Sequence, residues 1–94
     1  MTPYHVVATP AFERDYRNLP EDIARRIDEK IDYLAAHPEQ MQLPLKHLPE
    51  SLKGLHKYRI GDYRLLFWPD HASREIVLYA IAHRREIYRR LERR

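Results

Sequence analysis

The sequence predicts an α+β domain of order βααβββα: a twisted, mostly antiparallel sheet with an N-terminal helical hairpin packed on it. Three observations predict it. Leu55 to Trp68 (LHKYRIGDYRLLFW) is rich in aromatic and branched residues and is broken once, at Gly61-Asp62, as two strands joined by a turn would be. Arg74 to Ala82 is a further apolar run with little polar interruption, the pattern of a strand buried on both faces and hence central. Between Pro10 and Ala36 apolar residues recur at helical spacing instead.

The elements follow in order. Tyr4 to Ala8 is a short β-prone run. Thr9 is placed to cap a helix that begins at Pro10, where a missing N–H costs nothing. Phe12, Tyr16 and Leu19 form its apolar face, and it stops before Pro20. Pro20 opens a second helix, with Glu21 and Asp22 in the first turn, where the macrodipole favours acids. Ile23, Ile27, Ile31 and Leu34 are its buried stripe, and His37-Pro38 ends it. The charged outer face of this hairpin is expected to be solvated. Glu39 to Gly54 is polar and proline-punctuated, with Leu45, Leu48 and Leu52 pinning it to the core. Pro69 to Ser73 reads as a turn. In the strand after it, Ile76, Leu78 and Ala80 alternate against Val77, Tyr79 and Ile81. Arg84 to Leu91 is a short helix with Ile87 and Leu91 inward.

The 94 residues have room for one domain, 1–94, with one modest core. The net charge of +3 is unevenly distributed. Met1 to Gly54 carries seven basic and nine acidic residues, and Leu55 to Arg94 carries ten and five. A one-sided basic region suggests a polyanionic partner. The chain has no cysteine, which excludes disulfides and thiolate metal sites and fits a reducing cytoplasm. No apolar run approaches a membrane span, and the start does not read as a signal peptide.

Strand alternation sorts the hairpin residues. Leu55, Lys57 and Arg59 share one face of the first strand, and His56, Tyr58 and Ile60 share the other. Arg64 lies with Leu66 and Trp68 on the second strand. The hairpin thus presents three cations, Lys57, Arg59 and Arg64. Arg84 and Arg85 add two more at the start of the last helix, where the macrodipole disfavours cations by ~0.3–1 kcal/mol each. Free N–H groups at such an end attract anions, so the pair is poor for helix stability and suited to phosphate. A meander can bring this end to the hairpin cations, with Tyr88 one turn beyond Arg84. The alternative is that Arg84 and Arg85 pair with Glu86 or Asp62 and that Tyr88 packs in the core. The residues alone leave both open.

Three strings resemble the RelE/ParE superfamily of bacterial toxin–antitoxin toxins. They are Leu52-Lys53-Gly54-Leu55, then Lys57 to Phe67 (KYRIGDYRLLF), then Ile81 to Arg89 (IAHRREIYR). The first strand, the Pro10 helix and the Leu19-Pro20 helix start match too, so the resemblance covers nearly the whole chain. It implies the small RelE-like fold, which agrees with the elements above. It also implies a toxin that cuts messenger RNA in the ribosome without a metal or cofactor and is neutralised by a cognate antitoxin. Lys57 and Arg59 match the paired basic positions of the strand, Arg64 the arginine of the Tyr-Arg-Leu strand, and Tyr88 the C-terminal tyrosine. Arg84 matches a further arginine at a point where spacing varies. Arg59 stands where a lysine is common, which keeps the charge and changes the hydrogen-bond geometry.

The implied chemistry is attack of a ribose 2′-OH on the adjacent phosphorus. Tyr88 among cations would favour its phenolate and act as base. Arg64 and Arg84 would neutralise the phosphorane. Lys57 and Arg59 would hold the backbone or supply a proton, and Arg85 and Arg89 would add phosphate contacts. None of Lys57, Arg64 and Tyr88 is expected in the apolar core. His83 is a possible acid or base, or else a structural residue closing strand to helix. His56 is expected in the core or an interface, and His5, His37, His47 and His71 have no metal-ligand spacing. Two other functions share these residues. One is a ParE-like toxin that inhibits DNA gyrase. The other is a basic nucleic-acid-binding module without catalysis, which would need Tyr88 buried.

Overall fold

The computed structural model describes residues 3–92. It contains β1 (His5–Ala8), α1 (Pro10–Arg17), α2 (Glu21–Ala36), β2 (His56–Ile60), β3 (Tyr63–Asp70), β4 (Glu75–His83) and α3 (Arg84–Glu92). Two 3₁₀ turns, Pro38–Gln40 and Glu50–Leu52, interpose between α2 and β2 and are additions to the expected order. The strands lie in the order β1-β4-β3-β2, so β4 is central, as its apolar run predicts. β2–β3 and β3–β4 are antiparallel and β1–β4 is parallel, which makes the sheet mixed.

Local chemistry sets the joints. The Thr9 hydroxyl accepts the Phe12 N–H at 3.2 Å, capping α1 with Pro10 in its first turn. The same hydroxyl donates to the Leu78 carbonyl at 2.8 Å, which ties the cap to β4. β2 and β3 are joined by the two residues between the paired Ile60 and Tyr63. Gly61 takes φ 61° there, as the first position of a tight hairpin loop requires. A Cβ on Gly61 would meet the Arg26 guanidinium at an ordinary 3.5 Å, so an alanine would cost backbone energy and not space. Gly61→Ala is expected to lower stability by ~1–2 kcal/mol. The denaturant midpoint measures this, and an unchanged midpoint would contradict it.

The apolar interior is two clusters, one on each sheet face, where a single core was expected. The larger joins Phe12, Ile27, Ile31, Leu34 and Ala35 of the helical hairpin to Ile60, Leu65, Phe67, Ile76, Leu78 and Ile81. The smaller holds Leu55, Leu66, Ala80, Ala82 and Ile87, with Leu45, Leu48 and Leu52 packed against it. A register shift opposite Leu66/Phe67 leaves Tyr79 unpaired, because Leu66 faces Ala80 and Phe67 faces Leu78. The bulge reverses side-chain polarity along β4. Ile76 and Leu78 therefore share the helical-hairpin face with Ile81, not with Ala80. Strict alternation assigned Ile81 and Ala80 to the wrong faces. β3 also runs two residues further than expected, through Pro69. β2 ends opposite Phe67, so Pro69 lies where one edge of β3 is free and its missing N–H breaks no ladder.

Candidate active site

Lys57, Arg59 and Arg64 share one face of the β2–β3 hairpin, the face on which α3 packs. Arg59 on β2 stands directly opposite Arg64 on β3. Like charges in that position oppose sheet stability, so the pair is unfavourable unless an anion joins it. Arg64 is 6% exposed, which corrects the expectation that it lies outside the packed interior. Its Nη1 donates to the Gly61 carbonyl at 2.9 Å and to the Tyr63 carbonyl at 2.8 Å. The hairpin turn thereby holds the guanidinium in one place.

α3 starts beside this turn because the Arg84 N–H donates to the Asp62 carbonyl at 2.8 Å. The Arg85 N–H donates to His83 Nδ1 at 3.3 Å. The expected free N–H groups at this helix end are therefore already engaged at Arg84 and Arg85. What remains for an anion is the two exposed guanidinium side chains. Ile87 is fully buried beneath α3. Tyr88, the next residue, is 42% exposed, not packed in the core. Lys57 Nζ lies 5.4 Å from the centre of its ring. The neighbouring Arg64 guanidinium, and then the charge on Lys57, hold the Tyr88 phenol below the ordinary tyrosine value.

The remaining candidates divide. Among the described residues, no carboxylate lies within 4.0 Å of Lys57, Arg59, Arg64, Arg84 or Arg85. Glu86 instead takes Arg89 at 3.3 Å and Arg90 at 3.2 Å, so Arg89 sits in an exposed pair on α3. His83 pairs with Tyr63 across the strands, their rings 5.9 Å apart and edge-on. Tyr63 packs on the helical-hairpin cluster, which puts His83 with that face and not with Tyr88. Its ring closes strand to helix. His56 is buried, with Nδ1 2.8 Å from the Gly54 carbonyl and its ring 5.5 Å from Phe67. No group of three or more potential metal-ligating side chains occurs among the described residues.

One residue escaped sequence reasoning. Asp15 on α1 carries no expected role, yet its carboxylate takes Arg90 Nη1 at 2.9 Å and Nη2 at 3.0 Å. Its Oδ2 also accepts the Ile81 N–H at 3.1 Å. An acid on α1 and an arginine on α3 have no local signal linking them.

A cationic cluster around an exposed tyrosine of lowered pKa can bind a phosphodiester and accept a proton from a hydroxyl beside it. Comparisons with known proteins agree on one group. Residues 6–88 match the family described as the ParE toxin of the type II toxin–antitoxin system parDE. A Mycobacterium tuberculosis protein named Toxin RelE is 36% identical over 88 residues, covering 93% of this chain and 88% of that protein. Toxin RelG of the same organism is 34% identical over 89 residues, covering 94% and 99%. The crystal structure of the M. tuberculosis RelBE2 toxin–antitoxin complex contains a chain with a TM-score of 0.77 and 31% identity, over 88% of this chain and 93% of that one. The isolated Escherichia coli RelE toxin shares the fold, with a TM-score of 0.68 at 14% identity over 93% and 97% of the two chains.

Proposed function

The chain belongs to the RelE/ParE family of type II toxin–antitoxin toxins, and from that membership we propose that it is a ribosome-dependent endoribonuclease acting on messenger RNA. The observation that carries the reading is Tyr88, exposed on α3 with Lys57 over its ring and Arg64 lowering its pKa. In this reading the Tyr88 phenolate removes the 2′-OH proton and the 2′ oxygen attacks phosphorus. The bond to the 5′ oxygen then breaks, leaving a cyclic phosphate and a 5′-hydroxyl. Arg64 and Arg84 stabilise the charge on the phosphorane. Lys57 supplies the proton to the leaving oxygen, since a guanidinium holds its protons too tightly to serve as the acid. Arg59, Arg85 and Arg89 contact the RNA backbone, and no step requires a bound metal.

Primer extension on messages from translating extracts tests this. Discrete cuts inside codons are expected when the protein is added. Whole messages accompanied by double-strand DNA breaks would overturn the reading. They would support gyrase inhibition instead, which the match to the ParE family favours.

The same reading includes a cognate antitoxin, as in the RelBE complexes of similar proteins. A basic site on one sheet face suits an acidic or amphipathic antitoxin segment that covers that face or displaces α3. Co-expression is expected to give a tight hetero-oligomer without nuclease activity. A complex that stays active would argue against it.

A further inference from the structure

α3 is gripped at three places around its circumference. At about 100° per residue, Ile87 and Leu91 lie underneath and point into the smaller apolar cluster. Tyr88 lies about 80° to one side of that line and Arg90 about 80° to the other. Tyr88 meets Lys57 on its flank. On the opposite flank Arg90 meets Asp15, with two hydrogen bonds of 2.9 and 3.0 Å between fork and carboxylate. The apolar seat resists lifting of the helix but not rolling. A directional bidentate pair does resist rolling.

Asp15 is itself held. β1 pairs with β4 only as far as Leu78, which leaves the β4 edge open beyond. The Ile81 N–H on that edge donates to Asp15 Oδ2 at 3.1 Å. The Asp15 side chain is 15% exposed against 40% for Arg90, so the acid is the fixed member of the pair.

We infer that Asp15 is a positioning residue for Tyr88: its grip on Arg90 sets the roll of α3 and so seats the Tyr88 phenol against Lys57 and Arg64. A roll of roughly 10° about the axis moves a phenol oxygen by about 1–2 Å, given the radius of a helix with its side chains. A displacement of that size costs on the order of 10²-fold when it separates a base from its proton. The inference rests on the reading of Tyr88 as the base, and its test separates the two.

Asp15→Asn keeps an oxygen for the Ile81 N–H and nearly the same volume, and removes the anion that holds Arg90. The phenol titration of Tyr88 is read as the alkaline difference absorbance between each protein and its Tyr88→Phe counterpart. In Asp15→Asn its midpoint is expected to move up, toward ordinary tyrosine. Single-turnover cleavage on programmed ribosomes is expected to fall by ~10–100-fold, with ribosome binding within about twofold of the parent because no RNA contact is lost. Arg90→Gln should reproduce both effects, and the double variant should be no worse than either single one. Arg90→Lys keeps the charge and loses the fork, and carries the same readouts if Asp15→Asn does not fold. An unmoved Tyr88 titration in a folded Asp15 or Arg90 variant overturns the inference, as do additive effects in the double variant. If the parent cuts no RNA, the nuclease reading fails, and the titration still decides whether Asp15 seats Tyr88.

Discussion

Replacing Tyr88 with phenylalanine should reduce single-turnover cleavage on programmed ribosomes by ~10²–10⁴-fold, the usual contribution of one acid–base group. The change removes one oxygen from a side chain that is 42% exposed, so stability and ribosome binding should hardly move. The pH profile supplies an independent check. Only the phenolate can act as base, so the parent rate should rise with pH as Tyr88 ionises. The Arg64 guanidinium and the charge of Lys57 place the midpoint of that ionisation below the ordinary phenol value. Lys57→Ala should therefore shift the midpoint upward, slow cleavage by removing the proton donor, and flatten the salt dependence of binding by about one phosphate contact. Parental cleavage by Tyr88→Phe would remove Tyr88 as the base. His83 would be tested next, although its Nδ1 is taken up by the Arg85 N–H and its ring lies on Tyr63.

Arg64→Ala should damage both activity and fold. Loss of a cation directed at developing phosphorane charge is expected to cost ~10²–10³-fold in the cleavage step. The same substitution strips donors from the Gly61 and Tyr63 carbonyls and leaves a gap at a position that is 6% exposed. Charged hydrogen bonds of this kind contribute ~1.5–3 kcal/mol, so the unfolding midpoint should drop clearly, whereas Lys57→Ala should leave it nearly in place. Arg64→Lys separates the two roles. It keeps the positive charge but replaces the planar guanidinium whose Nη1 reaches both carbonyls, so it should recover part of the cleavage and little of the stability. Chemical denaturation beside single-turnover cleavage measures both. Full stability in Arg64→Ala would mean that the turn does not depend on the guanidinium.

The helical hairpin, the Gly61-Asp62 turn, the three strands after Gly54 and the short last helix are all legible in the chain. Each is set by interactions within a few residues: a Thr9 cap followed by Pro10, apolar spacing at 3.6 or 2, and a glycine where φ is positive. The cationic face of the hairpin is legible for the same reason, since alternation alone puts Lys57, Arg59 and Arg64 on one side. Alternation failed at Tyr79. A bulge is a property of two strands paired in a particular register, and no residue within β4 announces it. The tertiary structure likewise decided that Arg64 is buried under α3, that His83 caps the helix, and that Arg84 and Arg85 carry no neighbouring carboxylate within 4.0 Å among the described residues. It alone joined Asp15 to Arg90, 75 residues apart. The chain determines by local chemistry which groups the site contains. Which of them meet, and how firmly Tyr88 is held among them, depends on long-range contacts that exist only once both faces of the sheet are covered.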